Sequence, residues 1–86
     1  MLNRHNRLRV NVIINDRRTS ISIEPEAWQA LTEIARRREM SIDELVGRID
    51  AVRGTISRAS AIRLYILDFY RKIARGAKGA RLNPTW

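Results

Sequence analysis

The spacing of apolar positions along this chain changes from period two to a helical period near residue 24. Residues 9–14 (RVNVII) are rich in β-branched side chains and predict a strand. Residues 17–23 (RRTSISI) alternate cleanly. Thr19, Ile21 and Ile23 point one way, and Arg18, Ser20 and Ser22 the other. That is the signature of a half-buried strand. Its outer face is small, polar and basic, which is unusual for mere solvation. Asn15-Asp16, between the two segments, is a turn signal weaker than Asn-Gly. A two-residue turn there would pair Val12 with Thr19 and Asn11 with Ser20.

Beyond Glu24 the period becomes helical. Pro25 suits the first turn of a helix, where its missing N–H would have no partner anyway. Trp28, Leu31, Ile34 and Ala35 then form one apolar stripe, and Arg36-Arg37-Arg38 closes the helix at the negative end of its dipole. Ser41-Ile42-Asp43-Glu44 reads as a capping box opening a second helix, with Ile42, Leu45, Val46 and Ile49 as its stripe. Gly54 is the expected terminator. A third, longer helix is predicted from about Ser57 to Arg75, ending at Gly76. Its core set is Ile62, Tyr65, Ile66, Phe69, Tyr70 and Ile73, with Leu64 and Leu67 adding apolar surface elsewhere. A helix apolar on more than one side is buried on more than one face, and in so small a chain the extra face points to a second subunit.

Composition sharpens this picture. A single domain of 86 residues buries only about 60–65% of its unfolded surface and needs support. There is no cysteine and one histidine, His5. Disulfides, thiolate metal sites and Ser/His/Asp chemistry are thereby set aside, no cofactor is implied, and the chain reads as a non-enzyme. Self-association is the support that remains. No apolar run is long enough to span a membrane, and the N-terminus lacks a secretory apolar core, so a cytoplasmic protein is expected. The net charge is +8, and fifteen of the seventeen basic residues are arginine. Arginine's planar fork suits phosphates and base edges, although an arginine-rich codon habit gives the same bias. The charge is also segmented: +4 over residues 1–20, −3 over 21–50 and +7 over 51–86. Basic ends around an acidic middle suggest a polyanion engaged by particular surfaces.

One polar-faced strand followed by helix, short turn and capped helix resembles the ribbon-helix-helix DNA-binding family, the Arc, MetJ and CopG type of repressor. The resemblance rests on Arg18-Thr19-Ser20-Ile21-Ser22-Ile23, the helix at Pro25, the turn at Glu39-Met40-Ser41 and the second helix, over roughly residues 17–50. The stretch RTSISIEPEAW, with the separate helical segment SRASAIRLYILDFYR, looks like a bacterial subfamily with an extended helical C-terminal part. The resemblance implies a mainly α fold with a short β-ribbon plus a third helix, its strand paired between the subunits of a homodimer. Residues 1–16 are then an N-terminal arm or extra strand, 17–75 the domain, and 76–86 a basic flexible tail.

The same resemblance implies a transcriptional regulator, a repressor, that puts the ribbon into the major groove of double-stranded DNA and associates with the nucleoid when bound. Base contacts fall on Arg18, Ser20 and Ser22, since arginine forks onto guanine and serine bonds several bases. Phosphate contacts fall on Arg4, Arg7, Arg9 and Arg17, and on Ser41 and Ile42 at the start of the second helix, where Asp43 and Glu44 compete with a phosphate. The dimer core is expected from Ile21, Ile23, Trp28, Leu31, Ile62, Ile66, Phe69 and Tyr70. A hairpin of residues 9–14 on 17–23 would make the dimer's sheet four-stranded, too broad to enter the groove flat, unless the first segment swings away or lies elsewhere. Two alternatives stay open: an antitoxin that also binds a protein through the third helix or the tail, and a protein-interaction module without DNA binding.

Overall fold

A computed structural model describes residues 6–81, with side chains through Gly76. Two strands, β1 (Leu8–Ile14) and β2 (Arg17–Ile23), precede three helices, α1 (Pro25–Arg37), α2 (Ile42–Val52) and α3 (Arg58–Arg81). The strands form an antiparallel hairpin in which Val12 pairs with Thr19 and Asn11 with Ser20, the register expected from a two-residue turn. Asn15 and Asp16 both take left-handed conformations, with φ of 52° and 63°. Two consecutive positive φ values define the turn whose twist matches a hairpin. Asn and Asp tolerate that region because their short polar side chains bond locally.

One face of the hairpin is sealed. Val12, Ile14, Ile21 and Ile23 are buried against Leu31, Ile34 and Ala35 of α1, Leu45, Val46 and Ile49 of α2, and Ala61 and Ile62 of α3. Val10, Trp28, Ile66, Phe69 and Tyr70 are half-buried around this core. Four residues expected in a dimer core, Ile21, Ile23, Leu31 and Ile62, are therefore core within one subunit, at 4% exposure or less. The reason is the third helix, which packs back over α1 and α2. Trp28, Ile66, Phe69 and Tyr70 keep surface to offer a partner.

The helix boundaries have identifiable causes. Glu24 is extended before Pro25 and makes no side-chain cap. Its carboxylate instead accepts two hydrogen bonds of 2.9 Å from Arg63 of α3 and lies 3.4 Å from Arg7. At the other end of α1, Met40 N–H donates to Ala35 and Glu39 N–H to Arg36. This pair of bonds is a Schellman closure. Glu39 sits at its left-handed position, φ 57°, where glycine is usual. Ser41 caps α2 by accepting from the Glu44 N–H at 3.0 Å. Gly54, φ 64°, opens the turn into α3, and the Ser57 hydroxyl accepts from Ser60 N–H. Arg53 Nε donates to Asp50 at 2.6 Å, and Arg58 Nε lies 2.7 Å from the same oxygen. The Arg58 contact is an ion pair to that oxygen.

Helix α3 runs to Arg81, through Gly76 rather than ending there. Gly76 has no positive φ to force a stop, and an interior glycine costs only about 1 kcal/mol against alanine. Its neighbours, Ala74, Arg75, Ala77 and Lys78, are strong helix formers. The expected flexible tail is thus helical over 76–81, and residues 82–86 lie outside the described residues. No helix among the described residues is long and apolar enough to cross a membrane.

Two predictions follow from these joints. Replacing Glu39 with glycine relieves a left-handed side-chain clash and should stabilise the fold by about 1 kcal/mol in urea unfolding; a destabilised variant would contradict the closure. For Glu24, the Arg63 hydrogen bonds lead in holding the carboxyl below its ordinary value. For Asp50, partial burial pushes upward, but Arg53 and Arg58 outweigh it and the net shift is down. Carboxyls lowered on folding add stability that is complete above their ordinary range and is lost as pH falls through the lowered values. The melting temperature should therefore hold down to about pH 5 and drop below it, with a shallower acid limb in Glu24→Gln. An unchanged acid limb in that variant would remove Glu24 from the account.

Candidate nucleic-acid interface

With the inner face of the hairpin occupied, period two turns the other residues of both strands to solvent. Three cross-strand pairs make the outer face: Arg9 with Ser22, Asn11 with Ser20, and Ile13 with Arg18. All six side chains are exposed. The strand fold thus brings Arg18, Ser20 and Ser22 together on one surface. It also brings Arg9, expected only on the phosphate backbone, onto that surface, where its Nη1 donates to Ser20 Oγ at 3.1 Å. Asn11 and Ile13 lie on the same face, where the sequence analysis had not placed them. The signal for them was present in β1's own alternation, in which Val10, Val12 and Ile14 take the inner face.

A two-residue turn makes Ile14 and Arg17 a hydrogen-bonded pair, and the ladder then alternates. The main-chain groups of Thr19 and Ile21 face β1, while those of Arg18, Ser20 and Ser22 face the open edge of β2. Consistent with this, the Ser22 carbonyl accepts from Arg7 Nη1 at 3.0 Å. Arg7, expected on a mobile arm, is held between that carbonyl and the Glu24 carboxylate. Arg4 lies outside the described residues. Arg17 is exposed beside the turn.

The charge on this face is uncompensated. Among the described residues, Arg7 and Arg63 pair with Glu24, Arg53 and Arg58 with Asp50, Arg48 with Glu44, and Lys72 with Asp68. Arg9, Arg17 and Arg18 make no ion pair among the described residues. Four carboxylates, Glu24, Glu44, Asp50 and Asp68, are thus engaged on the helices and at the strand end, and none of them pairs with the arginines of the outer sheet.

The start of α2 is a different environment. The Ser41 hydroxyl is engaged in capping, Ile42 is half-buried, and Glu44 pairs with Arg48 at 3.1 Å. A cleft of about 320 Å³ between α2 and α3 has an apolar floor that includes Leu45, Ile49, Ala61 and Leu64, with Arg38, Arg48 and Arg53 at its rim. Those guanidinium groups already bond Tyr65, Glu44, and Asp50 with the Ile56 carbonyl, respectively. Arg17 and Arg18 on the sheet keep free donors among the described residues, and so do Arg36 and Arg37 at the end of α1 and Arg71 and Arg75 on α3.

The description "Ribbon-helix-helix domain" matches residues 8–70, which spans both strands, α1, α2 and the first half of α3. The chain belongs to the ribbon-helix-helix domain family. Both strands lie inside the matched region. No curated protein and no solved structure shows a significant match.

The ladder makes a direct prediction for amide exchange. The N–H groups of Val12, Thr19 and Ile21 should exchange slowly with solvent deuterium, and those of Asn11 and Ser20 quickly. The reverse pattern would put the register one residue off. Slow exchange at both Arg18 and Ser20 would place a second strand on the open edge.

Proposed function

We propose that this protein is a sequence-specific DNA-binding regulator, a transcriptional repressor, that places the outer face of its sheet in the major groove. The observation that carries the reading is the exposed, uncompensated cluster of Arg9, Arg18, Ser20 and Ser22 on one rigid sheet. Arg18 forks onto guanine O6 and N7, while Ser20 and Ser22 bond base edges at short range. Arg17, beside the turn, contacts phosphate, with Arg4 and Arg7 as further contacts from the N-terminal side. Ser41 and Ile42 make a weaker contact, because Asp43 and Glu44 oppose an anion there. The protein works in the cytoplasm, on the nucleoid.

A homodimer is part of this proposal. The apolar stripe of α3 is buried at Ile62, half-buried at Ile66, Phe69 and Tyr70, and 43% exposed at Ile73. One subunit covers only the first part of a continuous stripe, and a second copy covers the rest. An antitoxin role would use the same uncovered stretch for a toxin, and is the second reading this observation favours.

The test is selection of duplexes from a random pool, followed by titration at two salt concentrations. Tight binding to one sequence is expected. If about six to ten phosphates are neutralised, affinity should fall by roughly three to five orders of magnitude between 50 and 200 mM salt. Arg18→Ala should cost about 5- to 100-fold and relax preference at one position. Failure to select any sequence, or an Arg18→Ala profile identical to wild type, would contradict the reading.

A further inference from the structure

We propose that the cleft between α2 and α3 binds a small amphipathic carboxylate. The apolar body of the ligand lies on the cleft floor, and Arg38 and Tyr65 hold its carboxylate at the rim. The site is apart from the sheet and stands whatever the sheet binds.

The shape is that of a ligand site. Small-molecule sites are clefts of about 300–1,000 Å³, mostly apolar, with a few placed polar groups. This cleft, at about 320 Å³, lies at the lower end of that range. Leu45 and Ile49, 1% and 6% exposed, give it a firm floor, because both are also packed into the core under the hairpin. Leu64, Val52 and Ile56 stand around that floor as exposed apolar walls. Scattered apolar residues on a surface need no explanation, but these three border one cavity.

Charge says what fits there. Among the described residues none that lines the cleft is acidic, and three are arginines. Arg48 pairs with Glu44, and Arg53 shares the Asp50 carboxylate with Arg58. Arg38 makes no ion pair among the described residues. Its Nη1 donates instead to the neutral Tyr65 hydroxyl. That bond fixes the guanidinium at the rim without cancelling its charge. It also leaves the Tyr65 O–H to donate elsewhere, since a phenol both accepts and donates. A guanidinium and a hydroxyl donor thus stand side by side above an apolar floor. A carboxylate accepts from both, one oxygen on each, and the charge-assisted bond is the stronger. One uncompensated charge matches a monoanion.

Other occupants fit less well. Duplex DNA brings anions but no apolar body for the floor. A second copy docked here about a two-fold axis would set the same arginine rim against its own copy, and like charges in contact oppose association. The cleft takes Ala61, Leu64 and Tyr65 from α3, a row at spacings of three and four. The stripe offered to a dimer, Ile62, Ile66, Phe69 and Ile73, is a different row of that helix. The dimer and an open cleft are therefore compatible.

The test titrates the full chain with octanoate, followed by calorimetry and methyl NMR, with octanol and octylammonium as probes of the same apolar body. Octanoate should saturate one site and move the methyl signals of Leu45, Ile49 and Leu64. It should bind at least about 10-fold tighter than octanol, with octylammonium weakest. Arg38→Gln, at an exposed position, should melt like wild type. It should weaken octanoate by about 10- to 100-fold and leave octanol unchanged, a split that loss of shape alone does not produce. Leu64→Glu, also exposed, should weaken octanoate by putting a carboxylate at the cleft. Absence of saturable octanoate binding, octanol binding as tightly as octanoate, or Arg38→Gln binding octanoate like wild type would overturn the site. So would signal changes at Arg18 and Ser22 in place of the cleft methyls, which mean a charge-driven contact with the sheet. Cleft methyl signals that move with protein concentration alone would make the cleft an interface between copies, and would overturn it too.

Discussion

The inner face of the hairpin has to be covered, and the rest of the structure is arranged around that requirement. Val12, Ile14, Ile21 and Ile23 lie under α1, α2 and α3 with almost no exposure. Each buried aliphatic side chain of this size contributes about 1.5–3 kcal/mol. A one-residue slip of one strand against the other would turn the two core residues of that strand to water, a loss of about 3–6 kcal/mol. That is a large share of the whole stability of a small domain, roughly 5–15 kcal/mol. The register is therefore held strongly, and so is the identity of the outer face. Burial of one set of residues presents the other set, Arg9, Asn11, Ile13, Arg18, Ser20 and Ser22, on a rigid surface.

Electrostatics follow the same division. The carboxylates with lowered pKa, Glu24 and Asp50, sit at joints: Glu24 ties the end of β2 to α3 through Arg63, and Asp50 closes the turn between α2 and α3. Both are partly screened from water, so their pairs hold geometry better than fully exposed pairs would. Acidic groups engaged at joints are not available to neutralise the sheet. The sheet arginines Arg9, Arg17 and Arg18 therefore keep their charge for a polyanion.

Much of this was legible in the sequence because the signals were local. The alternation in RTSISI, the Asn15-Asp16 turn, Pro25, the Ser41 cap and Gly54 each act within a few residues, and each is where the sequence put it. Gly76 misled because a single glycine in a strong helical context lowers helix stability without ending the helix. The division of the core was not legible, since an apolar stripe does not say which chain covers it. Ile21, Leu31 and Ile62 are consumed inside the subunit, whereas Ile73 at the far end of α3 is left open. Arg7 was hidden for a related reason. Its partners, Ser22 and Glu24, are fifteen and seventeen residues away, and only the hairpin brings them together. Asn11 shows the opposite case: the register that places it beside Ser20 was readable, but its company with Arg9 and Arg18 on one exposed face emerges only when the whole face is seen.

Chemical interference tests the central claim, that the outer face of the hairpin reads bases from the major groove. A selected duplex would be methylated sparsely at guanine N7, which projects into the major groove, and separately at adenine N3, which lies in the minor groove. Bound and free fractions would then be compared. The account predicts that N7 methylation at one or two guanines within the selected site blocks binding, and that N3 methylation there does not. Binding indifferent to N7 methylation, or blocked chiefly from the minor groove, would contradict it.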